Sequence, residues 1–497
     1  MIPIVLVASL VAELLIFTRP LWQYRIPAIV VLTFVITSTT TLALFESPTW
    51  LGVLLGILAV GRLANLFRIA KARMHQEYLR SSTRRTSQVL CLLQLTIIGL
   101  IAGTLPVTLN ISGLPVILAG MQCVAAALLL LITIRNIRKT QYRQGEIFYA
   151  DKDLPTVSLL IPARNETYDL EEVLRTAIAS DYPKLEIIVL DDCSQAKTSE
   201  IIKSFAHDGV RFVKGKQPSD SWLAKNAAYQ KLAEESSGDL LLFCGVDVRF
   251  GPHAVKALIT ELVARKKQMI SVLPHRISGS LAGAFIQPMR YWWELALPRR
   301  LLNRPPVLST ICLISSNSLK KLGGFKAVSH SIIPEGFFAR ELVKSDDYSF
   351  IRADDTLDIQ TRKSYSEQLA TTVRTRYPQL RRRPENVLLL SIVQAVFLLG
   401  PFIGIIVGLI TNDMLLINLS IIACLLLVVN HLLIVQKTSP ANMLVALINF
   451  PVEVLSEMYL TALSMVRYEF GTVEWKERDV CIPVMHVVPR LPELPKD

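Results

Sequence analysis

Three short apolar runs end on clusters of polar side chains. VSLLIPARNE (157–166) ends on Arg164, Asn165 and Glu166, LEIIVLDDCS (185–194) on Asp191, Asp192 and Ser194, and DLLLFCGVDVRF (239–250) breaks off at Asp247. A buried strand that stops on a carboxylate presents that charge at the carboxyl edge of a sheet, where open α/β folds bind ligands. Three such strands delivering acids and cations to one edge suit a nucleotide sugar. Sugar transfer from such a donor needs the nucleoside held and the diphosphate neutralised, usually by a divalent cation on carboxylate oxygens. It also needs a base for the acceptor hydroxyl and cationic side chains near the phosphates.

The elements that must position these residues lie in 150–380, where β-rich runs alternate with helical patterns at 170–180, 223–236 and 254–266. That alternation predicts a parallel or mostly parallel sheet. The flanks are different. The chain is 497 residues long and 51% hydrophobic, with a positive mean hydropathy, which is too apolar for an ordinary soluble protein. Five apolar segments, near 2–18, 26–45, 48–69, 88–109 and 113–134, precede the polar region, and two more follow at 385–410 and 413–436. Each approaches the roughly 20 residues needed to cross hydrocarbon. The first segment lacks a cationic start and is followed by further spans, so it reads as a membrane helix and not as a cleaved signal. Glu13 within it is expected to snorkel to the interface.

The segment 441–466 holds eleven Leu, Ile, Val and Phe residues together with Glu453, Glu457 and Pro451. The apolar gain and the cost of two acids, each side a few kcal/mol, nearly cancel. A re-entrant or interfacial helix is the expectation. The expected division is 1–149 as an N-terminal membrane region, 150–383 as the globular domain, 384–470 as transmembrane or interfacial helices, and 471–497 as a tail.

The formal net charge of +12 invites a nucleic-acid reading, but its cations cluster beside apolar spans: Lys71, Arg73, Arg80, Arg84 and Arg85; Arg135, Arg138, Lys139 and Arg143; Arg381, Arg382 and Arg383. That is the positive-inside pattern. It places the globular domain in the cytoplasm of an integral membrane protein, with the bacterial inner membrane as the expected site, and argues against a nucleic-acid partner. Seven cysteines without CxxC spacing read as small buried hydrophobes, and seven histidines without a metal-ligand pattern argue against a histidine metal site.

Six strings occur in order from Val157 to Arg381: VSLLIPARNE, VLDDCS, SWLAKNAAYQ with SGDLLLFCGVDV, LGGF, FFARELVK and VRTRYPQLR. Together they resemble the family 2 glycosyltransferases, most closely the hopene-associated membrane glycosyltransferases. The tail GTVEWKERDV is similar to the family's Trp-Lys-Gly-Arg ending, with Glu477 in place of Gly. The N-terminal spans carry no such match. The resemblance implies an α/β nucleotide-diphospho-sugar transferase fold of GT-A type, with a mostly parallel sheet, inserted between helical transmembrane regions.

The resemblance also implies roles. Pro162, Glu166, Asp191 and Asp192 would line the donor's nucleoside pocket, and Trp222 and Lys225 would match Trp-x-Gly-Lys, with Ala224 replacing Gly. Asp247 matches the second acid of Asp-x-Asp and would hold Mg2+ or Mn2+, while Gly245 stands where the first acid belongs. Glu335 would be the base, in a string where the usual second acid is Gly336; Asp346 and Asp347 are the alternative. Val373-Arg374-Thr375-Arg376-Tyr377 stands where Gln-x-x-Arg-Trp is usual. Arg374 and Arg376 would face the diphosphate, and Tyr377 and Gln379 the acceptor.

The implied activity is inverting transfer from a nucleotide sugar, a UDP-sugar being expected, to a lipid or polyisoprenoid hydroxyl at the membrane. Two rivals stand beside it. One is a processive polysaccharide synthase, against which the lost Gln and Trp argue. The other is a non-catalytic nucleotide-sugar or lipid sensor, which the acid-to-glycine changes at Gly245 and Gly336 would suit.

Overall fold

In the computed structural model, the described residues are 9–10, 12–13, 16, 25–46, 49–71, 87, 90–91, 114–143, 151–195, 197–219, 222–278, 283, 287–297, 305–470, 473–476 and 478–480. Most of the expected spans near 2–18 and 88–109, and the basic stretch from Arg73 to Arg85, lie outside them. The chain forms two compact units.

The first unit comprises 1–115 with 383–392. Helices α1 (Arg25–Glu46) and α2 (Thr49–Lys71) pack side by side, with Leu32, Ile36, Leu66 and Ile69 between them. Glu13 does not snorkel. It is fully buried, its Oε2 2.8 Å from Arg62 Nε, and its other oxygen accepts a 2.7 Å hydrogen bond from Ser87. A charge removed from solvent needs such a partner, and Arg62 supplies it from the neighbouring helix.

The second unit, 116–382 with 393–497, is built on a sheet. Its strands are β1 (Val157–Ala163), β2 (Leu185–Asp191), β3 (Val210–Lys214), β4 (Leu240–Cys244), β5 (Val248–Phe250), β6 (Met269–Leu273), β7 (His275–Ser278), β8 (Ile311–Ser315), β9 (Tyr348–Arg352), β10 (Ile359–Lys363), and the short pair β11 (Glu474–Trp475) and β12 (Arg478–Asp479). Seven form the main sheet in the order β3-β2-β1-β4-β8-β6-β9. All its pairings are parallel except those of β8 with β4 and β6. The mostly parallel sheet expected from the strand patterning is therefore present, with β8 as its antiparallel member.

Both faces of that sheet are covered, which is why its strands are continuous apolar runs. Leu159, Ile161, Val189 and Leu242 face one core with Val173 and Leu174. Leu160, Ile188, Leu241 and Phe243 face the other with Tyr229, Phe325 and Phe338. The chain runs outward from β1 through β2 to β3, then returns to β4 on the opposite side of β1. The strand order reverses there, opening a crevice at the carboxyl ends of β1 and β4. A second sheet, β5-β10-β7, stands directly after that edge, with β10 parallel to β7 and antiparallel to β5.

Six further helices of this unit are needed below: α3 (Leu114–Lys139), α4 (Ala224–Glu235), α5 (Gln287–Leu295), α6 (Glu335–Lys344), α7 (Tyr365–Gln379) and α8 (Met414–Thr438); a last one, α9, runs from Met443 to Phe470. Among the described residues, four helical segments are long and apolar enough to cross a membrane: Pro115–Lys139, Pro384–Thr411, Met414–Thr438 and Pro440–Phe470. The break expected in the last is not there, because α9 continues through Pro451 for 28 residues. Glu453 and Glu457 turn inward, the first 3.2 Å from His431 of α8 and the second 2.6 Å from Arg376 of α7. Neither acid meets the hydrocarbon cost that favoured a re-entrant helix. The same bundle packs on the domain through α5, whose Trp292 donates a 3.1 Å hydrogen bond to His431.

Candidate active site

Glu335 and Lys225, 110 residues apart, meet at 3.1 Å. Lys225 enters on the first turn of α4, and Glu335 opens α6. The second oxygen of Glu335 accepts a 2.9 Å hydrogen bond from Ser309, and its side chain is 3% exposed against 25% for Lys225. Beneath them Tyr229 stacks on Phe243 and Phe325, and the Lys225 ammonium lies 5.1 Å from its ring centre. Burial, followed by the charge of Glu335 and more weakly that of Asp247, pushes the Tyr229 hydroxyl well above its usual range. Both acids therefore act on one buried ring. Asp346 and Asp347 stand at the other end of the ten-residue α6, about 15 Å away at 1.5 Å per residue. Asp346 is 94% exposed and paired with Lys267 at 2.9 Å, so the alternative base lies outside the crevice.

Asp247 follows β4 and is held by the second sheet. Its Oδ2 accepts a 2.8 Å hydrogen bond from Thr361 and lies 3.3 Å from Lys363 Nζ, both on β10. Burial opposes its ionisation, but Lys363 and the Thr361 hydrogen bond outweigh burial and hold the carboxyl below its ordinary value. A Cβ on Gly245 would sit 2.5 Å from Asp247 Oδ1. Glycine here lets Asp247 fold back over its own turn, and an acid at 245 would displace that carboxylate. At Gly336 a Cβ would meet only Ile333 and Val307, at 3.6 and 3.7 Å, so crowding does not explain the glycine there.

The expected divalent cation would thus depend on one carboxylate that Lys363 and Thr361 already hold. Among the described residues no group of three or more His, Cys, Asp and Glu side chains is placed to bind a metal. These residues do not fit a protein-built divalent-cation site.

The expected nucleoside acids do converge at the ends of β1 and β2, beside half-buried Pro162. Asp192 and Trp222 line a cavity of about 390 Å³ with Lys214, Gly215, Gln217 and Ser219. Asp191 is engaged elsewhere. It accepts from Ser194 N at 3.1 Å and from the Ser199 hydroxyl, fixing the turn after β2.

The carboxylates of this pocket already have partners from the end of the chain. Arg478 Nη1 lies 2.6 Å from Asp192, and Lys476 Nζ lies 2.7 Å from Glu166. Arg164 Nε donates to the Lys476 carbonyl at 2.9 Å, while its Nη1 donates to the carbonyls of Asp192 and Cys193 at 2.7 and 2.9 Å. Burial pushes both carboxyls above their ordinary range despite these cations. The β11–β12 hairpin is seated by Val473 and Val480 against Leu223, next to Trp222. The string GTVEWKERDV pointed to this segment, but its position was not readable from the string.

Helix α7 divides its residues. It starts with a capping box between Ser364 and Glu367, which satisfies two orphaned backbone donors. Arg374 is half-buried, its guanidinium 5.7 Å from the Trp475 ring centre, and Asp247 is among the charges that act on it. Arg376 is instead turned to α9. It sits 2.6 Å from Glu457, both side chains 2% exposed, and stacks on Trp293 at 4.7 Å. Tyr377 does not line an acceptor mouth: it is fully buried, and its hydroxyl donates to Glu469 at 2.6 Å. Gln379 accepts from Arg376 at 3.1 Å. The reason is helical geometry, since 374 faces away from the side that 373, 376 and 377 pack on α9. Lys363, Thr361, Arg276, Arg290 and Ser309 belong to no recognisable string; the register of the second sheet, the packing of α5 and, for Ser309, the pairing of β8 with β4 bring them near Asp247 and Glu335.

Residues 158–323 match the family model described as Glycosyl transferase family 2. A probable glycosyltransferase, YdaM of Bacillus subtilis, is 34% identical over 120 residues, 23% of this chain and 28% of that protein. Glycosyltransferase AglE of Haloferax volcanii is 34% identical over 104 residues, 20% of this chain and 32% of its own length. The chain thus spans less than a third of the curated relatives it matches. Among solved structures, the mannosyltransferase PcManGT of Pyrobaculum calidifontis, in complex with GDP-Man and Mn2+, aligns with a TM-score of 0.42 at 16% identity, over 71% of this chain and 98% of its own. Over residues 158–323 this chain is similar to the family 2 glycosyltransferases.

Proposed function

We propose that the protein is a membrane-embedded glycosyltransferase that moves a sugar from a nucleotide-sugar donor to a lipid or polyisoprenoid hydroxyl. The observation that carries this reading is the meeting of Glu335, Lys225 and Ser309 at the sheet edge that also bears Asp247. Lys225 pairs with Glu335, and Ser309 fixes its orientation. Glu335 accepts the proton of the acceptor hydroxyl. The acceptor oxygen then bonds to the anomeric carbon, and the bond from that carbon to the diphosphate breaks with its electron pair leaving on the diphosphate. Displacement from the opposite face inverts the configuration. The nucleoside pocket is the cavity of Asp192 and Trp222, and a UDP-sugar is the donor first in line to test.

The acceptor side follows from packing. Helix α5 joins the domain to α8 and α9, the crossing-length helices, so an acceptor reaching the crevice passes bilayer-facing elements. Arg138 and Lys139 end α3 where it meets the domain, and Arg381–Arg383 precede the next span. This distribution supports a cytoplasmic domain.

The test is release of nucleoside diphosphate by purified protein in nanodiscs, from a panel of nucleotide sugars with membrane lipid extract, followed by analysis of the lipid product. A single-sugar adduct that disappears in Glu335→Gln supports the reading. Long polymer would replace it with a processive synthase, and no turnover of any donor would leave a non-catalytic sensor.

A further inference from the structure

We propose that a cluster of protein cations, Lys363 with Arg276, Arg290 and Arg374, takes the place of a divalent metal ion in neutralising the donor's diphosphate. This rests on the reading of the crevice as a nucleotide-sugar site.

The cluster is assembled by strand register. In the parallel pairing of β10 with β7, Arg276 stands opposite Thr361. Thr361 is the residue that donates to Asp247, and Lys363, two positions along and hence on the same face, lies 3.3 Å from that carboxylate. Arg276 is 7% exposed, and among the described residues its Nε and Nη2 have no hydrogen-bond partner. A buried guanidinium is rarely left unpaired without a reason. Arg374 arrives from α7. Arg290 comes from α5, one turn before Trp293, the ring on which Arg376 stacks.

These groups repel one another. Burial and then the charges of Arg276 and Arg376 pull the Arg290 guanidinium down to about 10. Burial lowers the Lys363 ammonium; Asp247 opposes this, while Arg290, Arg374 and Arg276 add to it. The acids nearby are already matched: Asp247 by Lys363, and Glu457 by Arg376. Among the described residues, no ion pair joins Arg276, Arg290 or Arg374 to a carboxylate, and Asp247 acts on Arg374 only from a distance. Such an arrangement is costly until an anion completes it.

A diphosphate completes it. Arginine forks suit its oxygens in bidentate fashion. The same cations stabilise the charge that grows on the leaving oxygen as its bond to the anomeric carbon breaks. A divalent ion, by contrast, would have to displace Lys363 from Asp247 against the repulsion of three arginines. Gly245 fits this arrangement, since an acid there would push Asp247 off Lys363.

The experiment is calorimetry of the full-length protein in nanodiscs against UDP, GDP, ADP and CDP, each in EDTA, Mg2+ and Mn2+, for wild type, Lys363→Gln and Lys363→Arg. One nucleotide is expected to bind wild type with the same affinity, within about twofold, in all three conditions. Lys363→Gln should lose at least tenfold in EDTA and regain part of it with Mg2+, because Asp247 is then free for the metal. Lys363→Arg should stay within about threefold of wild type in EDTA, which separates loss of charge from misfolding. A tenfold or greater loss on adding EDTA to wild type overturns the cation cluster while leaving the glycosyltransferase reading intact. Undiminished binding by Lys363→Gln in EDTA also overturns it. No binding of any nucleotide in any condition overturns both.

Discussion

Arg478, nineteen residues from the end of the sequence, lies 2.6 Å from Asp192 at the tip of β2, 286 positions earlier. With Lys476 on Glu166 at 2.7 Å, it lays a cationic hairpin over the acids that the nucleoside reading needs. A nucleoside that hydrogen-bonds to Asp192 must first take that carboxylate from Arg478. The Arg478→Ala variant is expected to bind the nucleoside without its phosphates about tenfold more tightly, since a charge-assisted hydrogen bond is worth about 1.5–3 kcal/mol. Titration with uridine, guanosine, adenosine and cytidine checks this, and equal or weaker binding by the variant would show that Arg478 is part of the pocket.

The same hairpin has a pH signature. Burial raises the carboxyls of Asp192 and Glu166 in the folded protein. They therefore take up protons as the pH falls while still above the ordinary carboxylate range, and the ion pairs to Arg478 and Lys476 are lost there. Asp247 has the opposite shift. Its ionised form stabilises the folded state above the unfolded Asp value, and that contribution is lost only as the pH falls through its depressed folded value. Acidification should release the hairpin first and disturb Asp247 last. The difference in fluorescence between wild type and Trp475→Phe, followed against pH, should change in the upper window. A change only below the range of free carboxylates would contradict this order.

Glu335→Gln keeps the size and the acceptor for Ser309 but removes the proposed base. Turnover is expected to fall by about 10²–10⁴, the usual contribution of a positioned base, while the melting temperature in detergent stays within a few degrees. Full activity in this variant would remove Glu335 as the proton acceptor.

Arg376 and Glu457 form a buried pair at 2.6 Å that joins α7 to α9. Arg376→Met leaves Glu457 inside the protein with Trp293 as its remaining donor, at 3.0 Å. A loss of about 3–5 kcal/mol is expected, with much of it recovered in the double variant Arg376→Met/Glu457→Met. Thermal unfolding in detergent measures both. If Arg376→Met melts like wild type, the pair does not hold the helices together.

Gly245→Asp restores the acid that the family pattern carries. The new Cβ would come within 2.5 Å of Asp247 Oδ1, so the Asp247 carboxylate must rotate away from Lys363 and Thr361. Mn2+ is expected to raise the melting temperature of this variant and not that of wild type. An equal rise in both would place a cation site in the native protein.

The parallel sheet was legible because apolar runs such as VSLLIPA and LEIIVLD can only be strands buried on both faces, and the acids at their ends marked the crevice. Asp192 and Glu166 stand at those strand ends, whereas Lys225 and Glu335 rest on the resemblance; the structure brings Lys225 and Glu335 together at 3.1 Å. Tyr377 and Arg376 were misread for a physical reason. Position along a helix says which residues share a face, but not which face meets a neighbour, and α9 took the face that the motif suggested was for the ligands. At 441–466 the cost of Glu453 and Glu457 depends on His431 and Arg376, which are distant in sequence.

The sequence by itself determined the division into apolar spans and an α/β domain and the strand ends that bear the polar groups. These follow from periodicity and composition, which are local. Only the tertiary structure decided what each charge faces. Lys363 on Asp247, Arg478 on Asp192 and the Arg276 Nε and Nη2, without a partner among the described residues, arise from cross-strand register, a docked hairpin and burial. Electrostatic energy depends on separation and exclusion of water, and neither quantity is a property of spacing along the chain.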